Sequence, residues 1–389
     1  MFQTIYNALK SASRPVLIVG AGVRLSGASE EILELSKRFN LPVAPTWAGL
    51  DIFPDGPLTI PSFGTHGTRA GNFAVQTSDF ILSIGSRLDS KATGTPVSSF
   101  APQAKIYMVD VDKYEIGKFG QRVIGVCQDA KEFINQFLTC DSLPPKYTWL
   151  QRIHEWKVKY PSVKPEYYDE QGVNPYVLIN TLSEECEEGE IICTDTGCAV
   201  AWVSQAWGWK SAQRFLHAFN QTPMGYGLPA AIGAHYASGK RVVLISGDGS
   251  LMMSLSELAT VKELPIKIVL LNNQGHAMCR QTQREWLDGK YYSTQPPDLK
   301  FPDFRKVAQG CGIPTWMVDE SDSSNQKREV KKHTVRETIE DFLSGFGAGF
   351  MEVKIDPDHD VIPKVKYGYP NHDGHPQLSR DEFKEQCAI

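Results

Sequence analysis

No stretch of this 389-residue sequence approaches the roughly 18 consecutive apolar residues that a membrane-crossing helix needs, which argues against a helical membrane protein. The opening MFQTIYNALKSASRPV has no apolar core of the kind a signal peptide carries, so the expected compartment is the cytoplasm. Basic excess is also missing. Lys and Arg number 40 against 45 Asp and Glu, a net charge of −5, and the densest basic run, 327–332, is broken by Glu329. Nucleic acid is therefore not an expected partner, and that run reads as a solvated surface. The 8 cysteines form no Cys-x-x-Cys pair and no zinc spacing with the histidines, so they are expected to stay reduced. Internal repeats and low-complexity segments are absent, which excludes a solenoid. What remains is an ordinary globular composition, 41% hydrophobic and 22% charged, in a chain long enough for two cores.

The most informative stretch is 241–278, RVVLISGDGSLMMSLSELATVKELPIKIVLLNNQGHAM. The short apolar run 242–245 reads as a parallel strand buried on both faces, and 266–271 reads as a second buried strand. Between them, Ser254 and Glu257 have the spacing of a capping box, which predicts a helix over 254–263. Both strands then deliver their carboxyl ends to one sheet edge, where ligands of open α/β sheets bind. The first ends at Gly247, Asp248 and Gly249, and the second at Asn272 and Asn273. Glycines without Cβ let the backbone approach a diphosphate. An aspartate and an asparagine oxygen are hard ligands suited to Mg²⁺, which commonly shares its sites with phosphates.

GDGS at 247–250 followed by LNN at 271–273 resembles the diphosphate-binding signature of thiamine diphosphate enzymes. With TDTG at 194–197 and MGYGLPAAIGA at 224–234, the chain resembles the acetohydroxyacid (acetolactate) synthase catalytic subunit. The resemblance implies that Asp248, the Asn273 side chain and the Gly275 carbonyl bind Mg²⁺. It implies that the turn Asp195, Thr196, Gly197 and Cys198 approaches the diphosphate. The Thr222 carbonyl and the Met224 N–H would hold the aminopyrimidine, with Met224 supporting a bent cofactor. Gly247, Gly249, Ser250, His276, Ala277 and Met278 complete the implied cofactor set. Residues 250–271 form a slightly shorter spacer than is usual in the resembled synthases, a deletion expected in the loop before Leu264 and Pro265. If it moved the second strand instead, the metal site would fail.

Earlier in the chain, strand–turn–helix cycles at 15–43, 80–84 and 106–111 predict a doubly wound parallel sheet. Gly20-x-Gly22 follows a strand, but position 25 is Leu, so the dinucleotide fingerprint lacks its third glycine. The segments starting at Phe63 and Gly85 resemble the synthase central domain, for which FAD is an optional ligand. Arg87 and Asp89 fit that pattern, Ser90 and Lys91 depart from it, and His66 reads either as a residue near flavin or as a structural one. The expected architecture is α/β, with two doubly wound parallel-sheet domains, the second a thiamine diphosphate-binding fold. Its expected parts are a central domain at 1–140, a linker at 141–172 containing a helix at 147–159, a diphosphate domain at 173–356 and an extended C-terminal arm at 357–389 that could cover the site. A charged helix is expected within 320–349.

The resemblance implies a thiamine diphosphate- and Mg²⁺-dependent carboligase or decarboxylase acting on pyruvate-like 2-keto acids. In that family the activating glutamate lies on a separate N-terminal pyrimidine-binding domain, for which this sequence has no counterpart, so no catalytic residue is assigned. A homo-oligomer, or a partner chain supplying that domain, is expected. The alternatives are a partner-dependent or non-catalytic cofactor-binding subunit, a fragment, and a decarboxylase without ligation. Thr282 stands where the resembled synthases carry a Trp that helps select the second keto acid, which leaves the acceptor open.

Overall fold

A computed structural model describes residues 2–319, 328–345 and 347–388. The chain divides into two compact units, one formed by 1–161 with 362–389 and the other by 162–361.

The first unit is built on five parallel strands: β1 (Pro15–Val19), β2 (Val43–Pro45), β3 (Phe80–Ile84), β4 (Lys105–Asp110) and β5 (Val123–Cys127). Their order in the sheet is β2-β1-β3-β4-β5. Alternate residues face opposite sides, as the two-residue strand period requires. Leu17, Val19, Leu82, Ile84 and Tyr107 enter one core, while Val16, Ile18, Ile81, Ile106 and Met108 enter the other. The glycine pair after β1 has a packing explanation. A Cβ on Gly20 would lie 2.3 Å from the Gly85 carbonyl oxygen, and one on Gly22 would lie 2.7 Å from Gly85 Cα. Two backbones therefore touch here, which accounts for the incomplete fingerprint.

Two expectations change in this unit. The helix predicted at 147–159 forms with those bounds, but it is no free connection. Trp149, Ile153 and Trp156 are buried in the core of the first unit. The segment 362–389 is likewise no extended arm, because it is built into the first unit. Its helix Arg380–Cys387 is capped by Ser379, which accepts the Glu382 N–H at 3.2 Å, and Phe383 and Cys387 pack on the same core. Its polar ties include Trp156 Nε1 donating to Gln386 (3.1 Å) and the Tyr160 hydroxyl donating to Glu382 (2.7 Å). The sequence shows a polar tail. Only the fold supplies the apolar surface that Phe383 covers.

The second unit carries six parallel strands: β6 (Ile191–Thr194), β7 (Arg214–Leu216), β8 (Val242–Gly247), β9 (Ile266–Asn272), β10 (Thr315–Val318) and β11 (Gly349–Lys354). Their order is β10-β11-β9-β8-β6-β7. The chain places β7 on one side of β6 and β8 on the other, so the switch point of the sheet lies between β6 and β8. Every residue of β9 is buried, Lys267 included.

The helix expected at 254–263 is replaced by a broken one. Helix begins directly at Asp248 and runs to Met252, a 3₁₀ turn follows at Leu255–Glu257, and a short helix at Leu258–Val261 ends the segment. The capping box does not form: Ser254 makes no side-chain cap, and its hydroxyl is buried without a partner. A charged helix occupies Arg328–Ser344. Residues 320–327, including the start of the basic run, lie outside the described residues.

Candidate functional site

At the carboxyl ends of β6, β8 and β9 lies a cavity of ≈ 130 Å³. Of the residues expected to form a site, Thr196, Gly197, Cys198, Met224, Gly247, Asp248, Gly249, Ser250, Asn273, Gly275, His276, Ala277 and Met278 line it. Asp195 and Thr222 are not among its lining residues. The shorter spacer has not displaced β9: Gly247 of β8 pairs with Leu271 of β9, and the turn beyond β9 reaches back to Asp248.

Asp248 is 1% exposed. Its Oδ1 accepts the Gly249 N–H at 2.6 Å and its Oδ2 accepts the Gly275 N–H at 3.0 Å. Burial pushes its carboxyl up to about 6, while those amides and the nearby Arg280 guanidinium hold the shift down. A buried carboxylate that still has lone-pair capacity is a strong site for a cation.

The two asparagines after Leu271 have different fates. The Asn272 amide nitrogen donates to Glu352 at 2.6 Å, and its oxygen accepts the Gln274 N–H at 3.1 Å. Asn273 is 5% exposed, and its Oδ1 is buried with no hydrogen-bond partner. An orphaned buried carbonyl oxygen calls for a ligand. Asn273 Oδ1 is thus the oxygen of this pair that the protein leaves without a partner.

The glycines separate in the same way. A Cβ on Gly249 would lie 2.4 Å from the His276 ring, and one on Gly275 would lie 2.2 Å from the Thr294 carbonyl oxygen. These two are glycine because protein fills the space. A Cβ on Gly247 or Gly197 would meet nothing within 4 Å, so at these two the backbone itself borders open space. That is the cradle a diphosphate requires.

Asp195 acts behind the cavity. Its Oδ1 accepts the N–H groups of Thr196 (2.8 Å) and Gly225 (3.0 Å), and its Oδ2 accepts that of Gly227 (3.0 Å). It thereby fixes the Met224 turn and the start of helix Gly227–Ser238 against β6. Thr222 is held in the left-handed region at φ 47° on that loop. Thr196 Oγ1 ties to the Pro223 carbonyl at 3.0 Å, and Ser250 Oγ ties to the Thr196 carbonyl at 3.1 Å. His276 is half-buried. Burial, followed by the Arg280 charge, lowers its pKa.

Four contributors escaped the sequence reading. Trp202, fully buried, lines the cavity and donates to the Asp360 carbonyl at 3.3 Å. Leu271, the end of the β9 run, lines it too. Arg280, 2% exposed, donates to the carbonyls of Asn273 (3.0 Å), Gln274 (3.4 Å), Thr294 (3.3 Å) and Pro357 (2.9 Å). Its place four residues after His276 on helix Ala277–Trp286 puts it on the same face, which was a readable signal. Glu352 was signalled by being an acid between Met351 and Val353 inside a strand. Among the described residues, no group of three or more His, Cys, Asp or Glu side chains could hold a metal. One carboxylate with amide and backbone oxygens suits a cation that a phosphate ligand also binds.

Comparison with known proteins gives the family. Residues 2–137 match the family model described as thiamine pyrophosphate enzyme, central domain, and residues 195–340 match the C-terminal TPP binding domain. The chain belongs to the thiamine pyrophosphate enzymes. It is similar to the acetolactate synthase isozyme 1 large subunit of Escherichia coli, 32% identical over 369 residues that make up 93% of this chain and 62% of that protein. It is also similar to the chloroplastic acetolactate synthase 2 of Nicotiana tabacum, 33% identical over 387 residues, 95% of this chain and 55% of that one. The probable acetolactate synthase large subunit of Methanocaldococcus jannaschii is 32% identical over 376 residues, 92% and 60% of the two chains. The chain thus spans little more than half the length of the curated relatives it matches.

Proposed function

We propose that the second unit binds thiamine diphosphate through Mg²⁺, and that the chain acts with a pyrimidine-binding domain as a carboligase or decarboxylase on pyruvate-like 2-keto acids. The observation that carries the reading is the unpartnered Asn273 Oδ1 at the cavity that Asp248 also lines. Asp248, Asn273 and the Gly275 carbonyl would hold the metal, and the open backbone at Gly197 and Gly247 would receive the diphosphate. When bound, the cofactor supplies a nucleophilic thiazolium carbon and an electron sink for decarboxylation. The chain's own part is positional. Asp195 sets the Met224 turn, Arg280 sets the metal turn, and Trp202, Leu271 and Met278 give the cavity apolar walls that exclude water.

Similarity to acetolactate synthases favours ligation over simple decarboxylation. A pyrimidine-binding domain enters this reading because the resembled family carries its activating glutamate there. FAD stays an optional ligand of the first unit, where Asp89 caps helix Ser90–Thr93 by accepting the N–H groups of Lys91 and Ala92.

Calorimetric titration of the chain with thiamine diphosphate and Mg²⁺ tests the reading. Binding is expected, and Asp248→Ala should abolish it. Absence of binding at millimolar cofactor, or binding that survives in Asp248→Ala, contradicts it.

A further inference from the structure

Asn272 and Asn273 are adjacent and chemically identical, yet only the second has a side-chain oxygen left over. The difference originates on the neighbouring strand. In the parallel register of β9 and β11, Leu270 pairs with Glu352 and Asn272 pairs with Lys354. The Glu352 carboxylate is 3% exposed. It accepts from Asn272 Nδ2 at 2.6 Å and from Lys354 Nζ at 2.5 Å, and Arg305 Nε lies 3.5 Å away. Its charge is therefore compensated without contact with the cavity.

A carboxylate only accepts hydrogen bonds. The amide facing it must present its NH₂ group, because a flipped Asn272 would set oxygen against oxygen in a buried site. With the NH₂ committed to Glu352, Asn272 Oδ1 is turned to the Gln274 N–H. That closes the local side-chain-to-backbone turn typical of asparagine. The turn aims the residues around it: the Asn273 side chain lines the cavity, and the Gly275 N–H reaches Asp248. From the other side, Arg280 holds the Asn273 and Gln274 carbonyls.

We propose that Glu352 is a positioning residue of the metal site, fixing the Asn272 amide so that the turn delivers Asn273 Oδ1 and Gly275 to Asp248. This inference rests on the metal reading above. It assigns to β11, which lacks any cavity-lining residue, control over the affinity for a divalent cation.

Mn²⁺ is the probe, with its binding followed by electron paramagnetic resonance in the presence of thiamine diphosphate. Glu352→Met removes the acceptor and should weaken Mn²⁺ binding at least tenfold, about 1.4 kcal/mol. Glu352→Gln keeps an acceptor oxygen for Asn272 and should remain within about threefold of the parent, since the hydrogen bond rather than the charge sets the amide. Asn272→Ala leaves Glu352 with its lysine and arginine and should reproduce the tenfold loss, which keeps the test decisive if Glu352→Met folds poorly. Parent-like Mn²⁺ affinity in Asn272→Ala or in folded Glu352→Met overturns the proposal. So does equal impairment of the Gln and Met variants. If the parent chain itself takes up no Mn²⁺ with thiamine diphosphate, the metal reading fails and this inference fails with it.

Discussion

Replacing Asp195 should cost far more than removing a small polar side chain. Its carboxylate, 1% exposed, is the shared acceptor for three backbone N–H groups on two segments distant in sequence. In Asp195→Ala the Gly225 and Gly227 amides lose their acceptor at the base of helix Gly227–Ser238, while Thr196 borders the cavity and can turn to water. A buried N–H left unmade costs about 1–3 kcal/mol, so the two together predict roughly 2–6 kcal/mol. Loss of an anion near a helix start adds a few tenths more. Asp195→Asn keeps one oxygen for two of the donors but turns an NH₂ group toward the third. Its cost should be about half that of the alanine variant. Urea unfolding followed by tryptophan fluorescence measures both, with the transition of the second unit identified from Trp202 and Trp207. A loss below about 1 kcal/mol in Asp195→Ala would refute the bracing role, since even one unsatisfied amide exceeds that. Equal losses in the two variants would show that charge, rather than acceptor geometry, matters.

Asn273→Ala should leave stability within about 1 kcal/mol, because the deleted oxygen has no protein partner, while lowering metal-supported cofactor affinity by at least about tenfold; matched calorimetric titration and thermal melts would reveal the opposite pattern if Asn273 were structural. Gly249→Ala should destabilise by about 1–3 kcal/mol, since its Cβ meets the His276 ring at 2.4 Å. Gly247→Ala should leave stability nearly unchanged and weaken cofactor binding, because its methyl enters open space; a large stability loss there would contradict the cradle. In the first unit, burial lowers both His66 and His372 from 6.5 to about 4. The unfolded chain protonates them first, so their stabilisation is complete above pH 6.5 and is lost as pH falls toward 4. At pH 5 each histidine should have cost about 2 kcal/mol. Denaturant midpoints that do not change between pH 7 and 5 would disprove it.

The sequence alone located the sheet edge that matters. The short runs at 242–245 and 266–271, the second apolar but for Lys267, read as strands buried on both faces, and the glycine and asparagine that follow mark where those strands stop. β8 and β9 match those runs to within two residues. Local chemistry is enough for this, because strand burial and turn residues are written in consecutive positions. The capping box failed for the complementary reason. Ser254 and Glu257 have the right spacing, but the helix that starts at Asp248 has ended by Met252, and only a 3₁₀ turn that the Ser254 side chain does not cap follows. The tail at 362–389 looks polar in one dimension, and only the first core shows what Phe383 covers.

Within the site, the sequence supplied the ligand types and the fold supplied their division of labour. Two asparagines side by side are indistinguishable until Glu352, 80 positions from Asn272, takes one amide and leaves the other oxygen without a partner. Two glycines flanking Asp248 read alike until the His276 ring fills the space beside Gly249 and nothing fills it beside Gly247. Arg280 is an ordinary charge on a helix until four carbonyls from three segments converge on it. Periodicity and turn chemistry act between near neighbours and can be read in order. Hydrogen-bond satisfaction and excluded volume act between residues that only the folded chain brings together.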